Sequence, residues 1–139
     1  MCLIDIKSKI PSVAKKQVNV YKVFYTDTYG SGNLESVFQG YLYKLNKEYA
    51  SRLDVYNDVN LVGEFFGLKC DKGIHSFTSL SNASKYARWF EITFSNRTVI
   101  VARCILPIGT LYHRGHFDSS HFGKINSIAS DKIIITEII

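Results

Sequence analysis

The sequence predicts a single α+β domain, dominated by a sheet of five or six mostly antiparallel strands with one or two short helices. Runs of β-branched and aromatic residues at 18–25, 98–106 and 132–139 are typical of strands. Apolar residues recur at helical spacing over residues 80–90. The 139 residues contain no repeat and no linker, so we expect one domain over 1–139.

The first half of the chain yields one clear strand. Residues 18–25 place β-branched and aromatic side chains on both faces of an extended segment. Residues 26–35 hold two glycines among Thr, Asp, Ser and Asn, which favour turns, so we expect a loop there. Residues 37–45 have an extended pattern with Gly40 as a candidate bulge. Residues 46–68 show no sustained periodicity, and we assign no element to them.

A helix is predicted from an N-cap residue followed by an apolar stripe. The hydroxyl of Ser79 can accept a hydrogen bond from an exposed amide of the first turn. An apolar stripe then follows at helical spacing, formed by Ala83, Tyr86, Ala87 and Phe90. We therefore expect a helix over residues 80–90, entered from a short strand at 74–77.

The strongest strand is residues 98–106, because Val, Ile and Leu occupy both of its faces and only Arg103 interrupts them. We expect this strand to be central in the sheet. Pro107 and Gly109 then favour a turn. Residues 110–112 can resume a strand, and 132–139 form the last one.

The charge and the tyrosines point to a binding surface. The chain has 17 Lys and Arg against 12 Asp and Glu, for a net charge of +5. Seven basic and two acidic residues lie within 69–116, and seven of the nine tyrosines lie within the first 56 residues. Tyrosine rings stack on bases and pack at protein interfaces, and Lys and Arg bind phosphates. The sequence therefore predicts a basic, Tyr-rich surface that engages either a protein or an anionic, nucleotide-like ligand.

Arg103 suggests where such a site lies, since an unpaired buried charge is unfavourable. It either pairs with a carboxylate, Glu137 or Asp131, or faces a cleft that admits an anion. We assign no catalytic residue and predict no cofactor. The predicted ligand-binding residues are Tyr21, Lys22, His75, Ser76, Arg103 and Arg114.

A metal site is not predicted. Three histidines, His113, His116 and His121, lie near Asp118, and imidazole with carboxylate is the chemistry that zinc prefers. Their spacing matches no recognised zinc site, and Arg114 beside them would repel a divalent cation.

The cysteines and the N-terminal residues favour a cytoplasmic protein. Three cysteines without CxxC spacing indicate reduced thiols. Cys70 and His75 could act as a nucleophile and its base, but no third residue marks such a site. No apolar stretch is long enough to span a bilayer, and the first residues lack the apolar run of a signal peptide, so we expect no membrane association.

Scattered blocks covering about half of the chain resemble small uncharacterised proteins of gut Bacteroidetes and their phages. This resemblance implies an association with phages or mobile elements and no known activity. The blocks are VYKVF at 20–24, GIHSF followed by SLSNA at 73–83, VARCILPIGTLYHRGHF at 101–117 and SIASDKIIITEII at 127–139.

A second resemblance is to ADP-ribosyltransferase-like domains. These have a basic or His residue on a first strand, a Ser-Thr-Ser-like strand ahead of a helix, and a glutamate motif near a late strand. Lys22 stands where that pattern has arginine, and the Glu-x-Glu motif is absent. The resemblance implies, as the alternative function, an NAD-binding enzyme or its inactive descendant. An interaction-only role through a sheet edge is a third reading. The positions that match the family pattern are Tyr21, Lys22, His75, Ser76, Thr78, Ser79 and Glu137.

Overall fold

The computed structural model describes residues 2–26, 33–37, 40–59, 61–93 and 97–139. This part of the chain forms thirteen strands and one helix. They are β1 Leu3–Ile6, β2 Ser12–Val13, β3 Val18–Thr26, β4 Leu34–Ser36, β5 Leu42–Tyr43, β6 Glu48–Ala50, β7 Asp54–Val59, β8 Phe65–Lys72, β9 Ile74–Phe77, α1 Leu80–Thr93, β10 Val99–Leu106, β11 Leu111–Ser119, β12 Gly123–Ser130 and β13 Lys132–Ile138.

The predicted fold class is wrong: the protein is mostly β. Its thirteen strands join one antiparallel sheet, in place of five or six strands, and the described residues hold a single helix. The main path runs β6-β13-β10-β3-β9-β12-β11-β1-β8-β7, with β2 beside β11 and β4 and β5 beyond β3. Four strands, β2, β4, β5 and β6, have only two or three residues. Such short strands show no alternation by which a sequence pattern could reveal them.

The two strongest sequence strands are confirmed and are neighbours. Strands β3 and β10 pair over eight consecutive residues, from Val18↔Leu106 to Tyr25↔Val99. One face of this pair is buried over most of its length, and the other is buried at Val23, Val99 and Val101 and partly exposed elsewhere. One face joins a core with β13 and the β4–β5 pair, and the other packs under the helix.

The structure confirms both the predicted N-cap of the helix and its predicted apolar stripe. The backbone N–H of Asn82 donates to Ser79 Oγ at 3.3 Å. The helix continues to Thr93, three residues further than predicted, and strand β9 precedes it as expected. The buried residues are those of the predicted stripe, Ala83, Tyr86, Ala87 and Phe90.

Residues 26–45 differ from the prediction. Most of the predicted loop, 27–32, lies outside the described residues, but Leu34 and Glu35 belong to β4. Gly40 has a φ of +70° and donates its N–H to Ser36 O at 2.9 Å. It therefore lies in the turn between β4 and β5, and it is not a bulge.

The turn after β10 is confirmed. Thr110 N donates to Pro107 O at 3.1 Å, and Gly109 has a φ of +88°. The strand that follows is β11, which extends to Ser119, well beyond the predicted residue 112.

The N-terminal segment pairs with β11 at two places that are out of register with each other. Ile4 pairs with His116, and Ser12 pairs with Tyr112. Residues 5–11 must therefore span the length that only 113–115 occupy on β11, so the segment cannot stay flat against the strand. We call residues 5–11 the arch. Asp5, its first residue, still belongs to β1 and has a φ of +58°, a left-handed conformation at the point where the register of β1 against β8 shifts.

Gly115 allows β1 to approach β11. A Cβ at this position would overlap the backbone oxygen of Ile4 and lie 3.0 Å from Leu3 Cγ. Its φ lies outside the left-handed region, so this glycine is required for space and not for its conformation.

We expect Gly115→Ala to lower the free energy of unfolding by about 3 kcal/mol, because the obstacle is backbone and cannot rotate away. Urea denaturation measures the loss. The control is Gly63→Ala, where no atom lies within 4 Å but φ is +83°, so only backbone strain of about 1–2 kcal/mol is expected. A loss at Gly115 no larger than that at Gly63 would contradict the close approach of β1.

Candidate functional site: a cleft under the arch

The arch and the strands that it spans enclose a cleft of about 480 Å³. This volume is within the range of small-molecule sites. The arch contributes Asp5 and Lys7, and β11 contributes His113, Arg114 and His116. Polar residues from the end of β9 and from β12 complete the wall, among them Thr78, Asn126 and Ser127.

The cleft carries an excess of positive charge. Its acidic residue, Asp5, receives a hydrogen bond from Lys124 Nζ at 2.8 Å and lies 3.0 Å from His116 Nδ1. The hydrogen bond from Lys124 is the main cause that lowers the pKa of Asp5, so this carboxylate is ionised at neutral pH. Its negative charge is already balanced by the Lys124 ammonium. Lys7 and Arg114 make no ion pair within the described part of the chain. The Arg114 guanidinium carbon lies 5.5 Å from the Tyr112 ring centroid.

His113 adds a neutral hydrogen-bonding group to the wall. It is buried, and burial lowers its pKa from the usual value. At pH 7 its ring is therefore uncharged and has one donor and one acceptor nitrogen.

The six predicted binding residues lie in three places, and Arg114 is in the cleft. Lys22, His75 and Ser76 lie together in the protein interior, where Lys22 Nζ donates to the His75 backbone oxygen at 2.7 Å. Tyr21 and Arg103 are paired on the opposite face of β3 and β10.

Arg103 is bound by a carboxylate. Its guanidinium donates to Glu137 Oε2 at 2.7 Å, and both side chains are partly exposed. Glu137, Arg103, Tyr21 and Phe77 form one row of paired residues across β13, β10, β3 and β9. Three strand spacings, about 14 Å, therefore separate Glu137 from the strand of His75. The transferase-like alternative, which uses Glu137 with His75 and Ser76, stays a prediction.

Lys22 is an ammonium group inside an apolar core. The side chain is 6% exposed, and no carboxylate of the described residues forms an ion pair with it. Nζ lies 5.8 Å from the Phe24 ring centroid and 5.9 Å from that of Tyr43. Burial lowers the pKa of Lys22 to about 8. It also raises the pKa of the neighbouring Cys104 thiol to about 12, so Cys104 supplies no negative charge at neutral pH.

Cys70 and His75 do not form a nucleophile and base. The Cys70 thiol donates to Lys72 O at 2.7 Å, and burial raises its pKa to about 11. His75 Nε2 lies 3.1 Å from the backbone oxygen of Cys70, so this ring contacts the main chain. Burial lowers the pKa of His75 to about 4, which keeps the ring neutral.

The other histidines are also dispersed. His116 contacts Asp5 in the cleft, whereas the His121 ring packs 4.9 Å from that of Trp89. Within the described ranges, no three His, Cys, Asp or Glu side chains come close enough to hold a metal ion.

In the described part of the chain the tyrosines are divided among several places, and Tyr41, Tyr43 and Tyr49 together line a smaller cleft. Tyr43 is buried and its ring packs 4.7 Å from that of Tyr49, while Tyr25 packs on Phe90 at 6.2 Å. Tyr41 is 62% exposed.

The sequence analysis did not predict Lys7 or His113 as residues that line a cleft. The available signal was the charge of residues 6–26, which contain five lysines and no Asp or Glu. The cleft itself depends on the two registers of the N-terminal segment, which no local pattern predicts.

Comparison with known proteins adds no assignment: no family model matches the chain, and no curated protein or solved structure is significantly similar to it. No helix in the described residues is both long and apolar enough to cross a membrane.

We expect Lys22→Met to be more stable than the wild type at pH 7, by up to about 3 kcal/mol. The pKa of Lys22 is lower in the folded than in the unfolded chain, so the buried charge destabilises the fold below pH 8. This penalty disappears as pH rises from about 8 towards the unfolded value of 10.5. Urea midpoints of both proteins at pH 7, 8, 9 and 10 measure the difference. A stability difference that does not shrink with rising pH would show that Lys22 is not charged in the core.

Proposed function

We propose that the protein is a binding module that holds a phosphate-bearing, nucleotide-like small molecule in the cleft under the arch. The observation that carries the proposal is the distribution of charge in the cleft. Lys7 and Arg114 have no acidic partner among the described residues, whereas Asp5 is already paired with Lys124 and His116. An anion can therefore bind without breaking an existing ion pair.

The groups in the cleft suit the parts of a nucleotide. The planar guanidinium of Arg114 can donate two parallel hydrogen bonds to a phosphate, and Lys7 adds a point charge from the arch. The neutral His113 ring and the Asn126 amide offer donors and acceptors to a sugar or a base. Ile10, which also lines the cleft, provides apolar surface.

We also propose that the protein is cytoplasmic and that it is associated with phages or mobile elements. Support for the location comes from the cysteines, since Cys2, Cys70 and Cys104 are all free thiols. A nucleotide is also an abundant ligand of that compartment. A protein partner remains the other ligand class that the sequence predicts.

Thermal shifts test the proposal directly. The purified protein is heated with AMP, ADP, cyclic AMP, NAD, ADP-ribose or inorganic phosphate, each up to 5 mM. A nucleotide at 100 times its dissociation constant is expected to stabilise the fold by about 2.7 kcal/mol, which raises Tm by several degrees in a domain of this size. No shift with any of these compounds would remove the proposal.

Charge-neutralising variants locate the site. Arg114→Gln and Lys7→Gln are each expected to weaken nucleotide binding by about ten-fold or more, the effect of removing one charge-assisted hydrogen bond. The control is Arg88→Gln, an exposed arginine of the helix that lies outside the cleft and changes the net charge equally. Equal weakening in all three variants would show that the cleft is not the binding site.

A shift with NAD that Glu137→Gln alone abolishes would favour the transferase-like alternative.

A further inference from the structure

The segment that forms the arch continues into a lysine-rich stretch. Of the five lysines in residues 6–26, Lys22 is buried and Lys7 lines the cleft. The other three, Lys9, Lys15 and Lys16, are exposed, and none has an ion-pair partner among the described residues. We call these three lysines the basic track.

The backbone holds the basic track beside the cleft. Strand β2 pairs with the start of β11 at Ser12↔Tyr112, and Ala14 N donates to Thr110 O at 2.9 Å. Lys9 therefore lies on the arch on one side of this paired stretch, and Lys15 and Lys16 lie directly beyond its other end. The contour from Lys7 to Lys16 is at most about 30 Å for an extended chain. These cations therefore follow one another along the chain from the cleft and lie within about 30 Å of Lys7.

A line of cations leading from a cleft suits a strand of nucleic acid. Each nucleotide carries one phosphate, so successive lysines can each neutralise one charge along the strand. Under the proposed function the cleft holds one nucleotide, and Ile10, which lines it and is 79% exposed, offers apolar surface to the face of a base. A single strand fits this arrangement better than a duplex, because a duplex does not present a separate nucleotide to a cleft of about 480 Å³.

We infer that the natural ligand of the cleft is single-stranded nucleic acid, of which one nucleotide occupies the cleft while the flanking phosphates bind Lys9, Lys15 and Lys16. This inference rests on the proposed function, because it identifies the ligand of the same site.

Fluorescence anisotropy with a labelled ten-residue oligothymidylate tests the inference, beside thermal shifts with thymidine monophosphate. The variant K9Q/K15Q/K16Q removes the track and leaves Lys7 and Arg114 in place. Its matched control, K44Q/K47Q/K85Q, removes three exposed lysines, two between β5 and β6 and one on the helix, and gives the same net charge. Circular dichroism and Tm establish that both variants fold.

We expect the track variant to bind the oligonucleotide about ten-fold more weakly than the wild type and to bind thymidine monophosphate unchanged. The slope of log affinity against log salt concentration should fall by about 2, since each phosphate contact in a single strand contributes about 0.7. The control variant should stay within about two-fold of the wild type for both ligands.

Three outcomes would overturn the inference. If the oligonucleotide binds no more tightly than the monophosphate, the ligand is a free nucleotide and only the proposed function stands. If both triple variants weaken binding equally, the attraction depends on net charge and not on the track. If the oligonucleotide does not bind and a ten-residue polyglutamate does, the surface recognises an acidic protein.

Discussion

The pairing of β3 with β10 is the constraint on which the rest of the structure depends. Eight consecutive pairs join two strands whose inward and outward side chains are both largely apolar. Because both faces must be removed from water, each needs a cover of its own. The helix covers the face of Val23 and Val101, and the side chains on the face of Phe24 and Cys104 form a core with residues of β4, β5, β9, β12 and β13. The remaining elements extend the sheet from this doubly covered centre.

Lys22 shows how strongly this pairing determines what is buried. Its position on β3 lies between Val20 and Phe24, which both point into the core, so the alternation of the strand places residue 22 there as well. The fold retains the ammonium with one hydrogen bond to a backbone oxygen and two aromatic rings. A buried ammonium lowers the stability of the fold, and the pairing of β3 with β10 is strong enough to offset this loss.

The sequence predicts the elements whose apolar pattern is long and regular and misses those whose pattern is short or interrupted by polar residues. Residues 18–25 and 98–106 are apolar on both faces, and the helix has a cap and a stripe, so their patterns are unambiguous. The sequence analysis did not predict strand β12, because its buried positions include Ser127 and Ser130 and serine is typical of turns. Both hydroxyls are satisfied by backbone oxygens, Ser127 by Ile125 O at 3.2 Å and Ser130 by Lys132 O at 3.0 Å, so burial is tolerated. Arg114 was predicted for its charge, but the residues that face it from the arch, Asp5 and Lys7, lie far from it in the sequence.

The cleft exists because the backbone of the arch is held at both ends. Ile4 and Ser12 are each paired with β11, and Gly115 lets the first of these contacts form. A ligand that joins Lys7 on the arch to Arg114 on β11 therefore meets two walls whose spacing is already set by the fold. Little backbone has to be ordered on binding, so more of the electrostatic attraction is retained as affinity. By linkage, such a ligand also stabilises the docking of β1, since both depend on the same position of the arch.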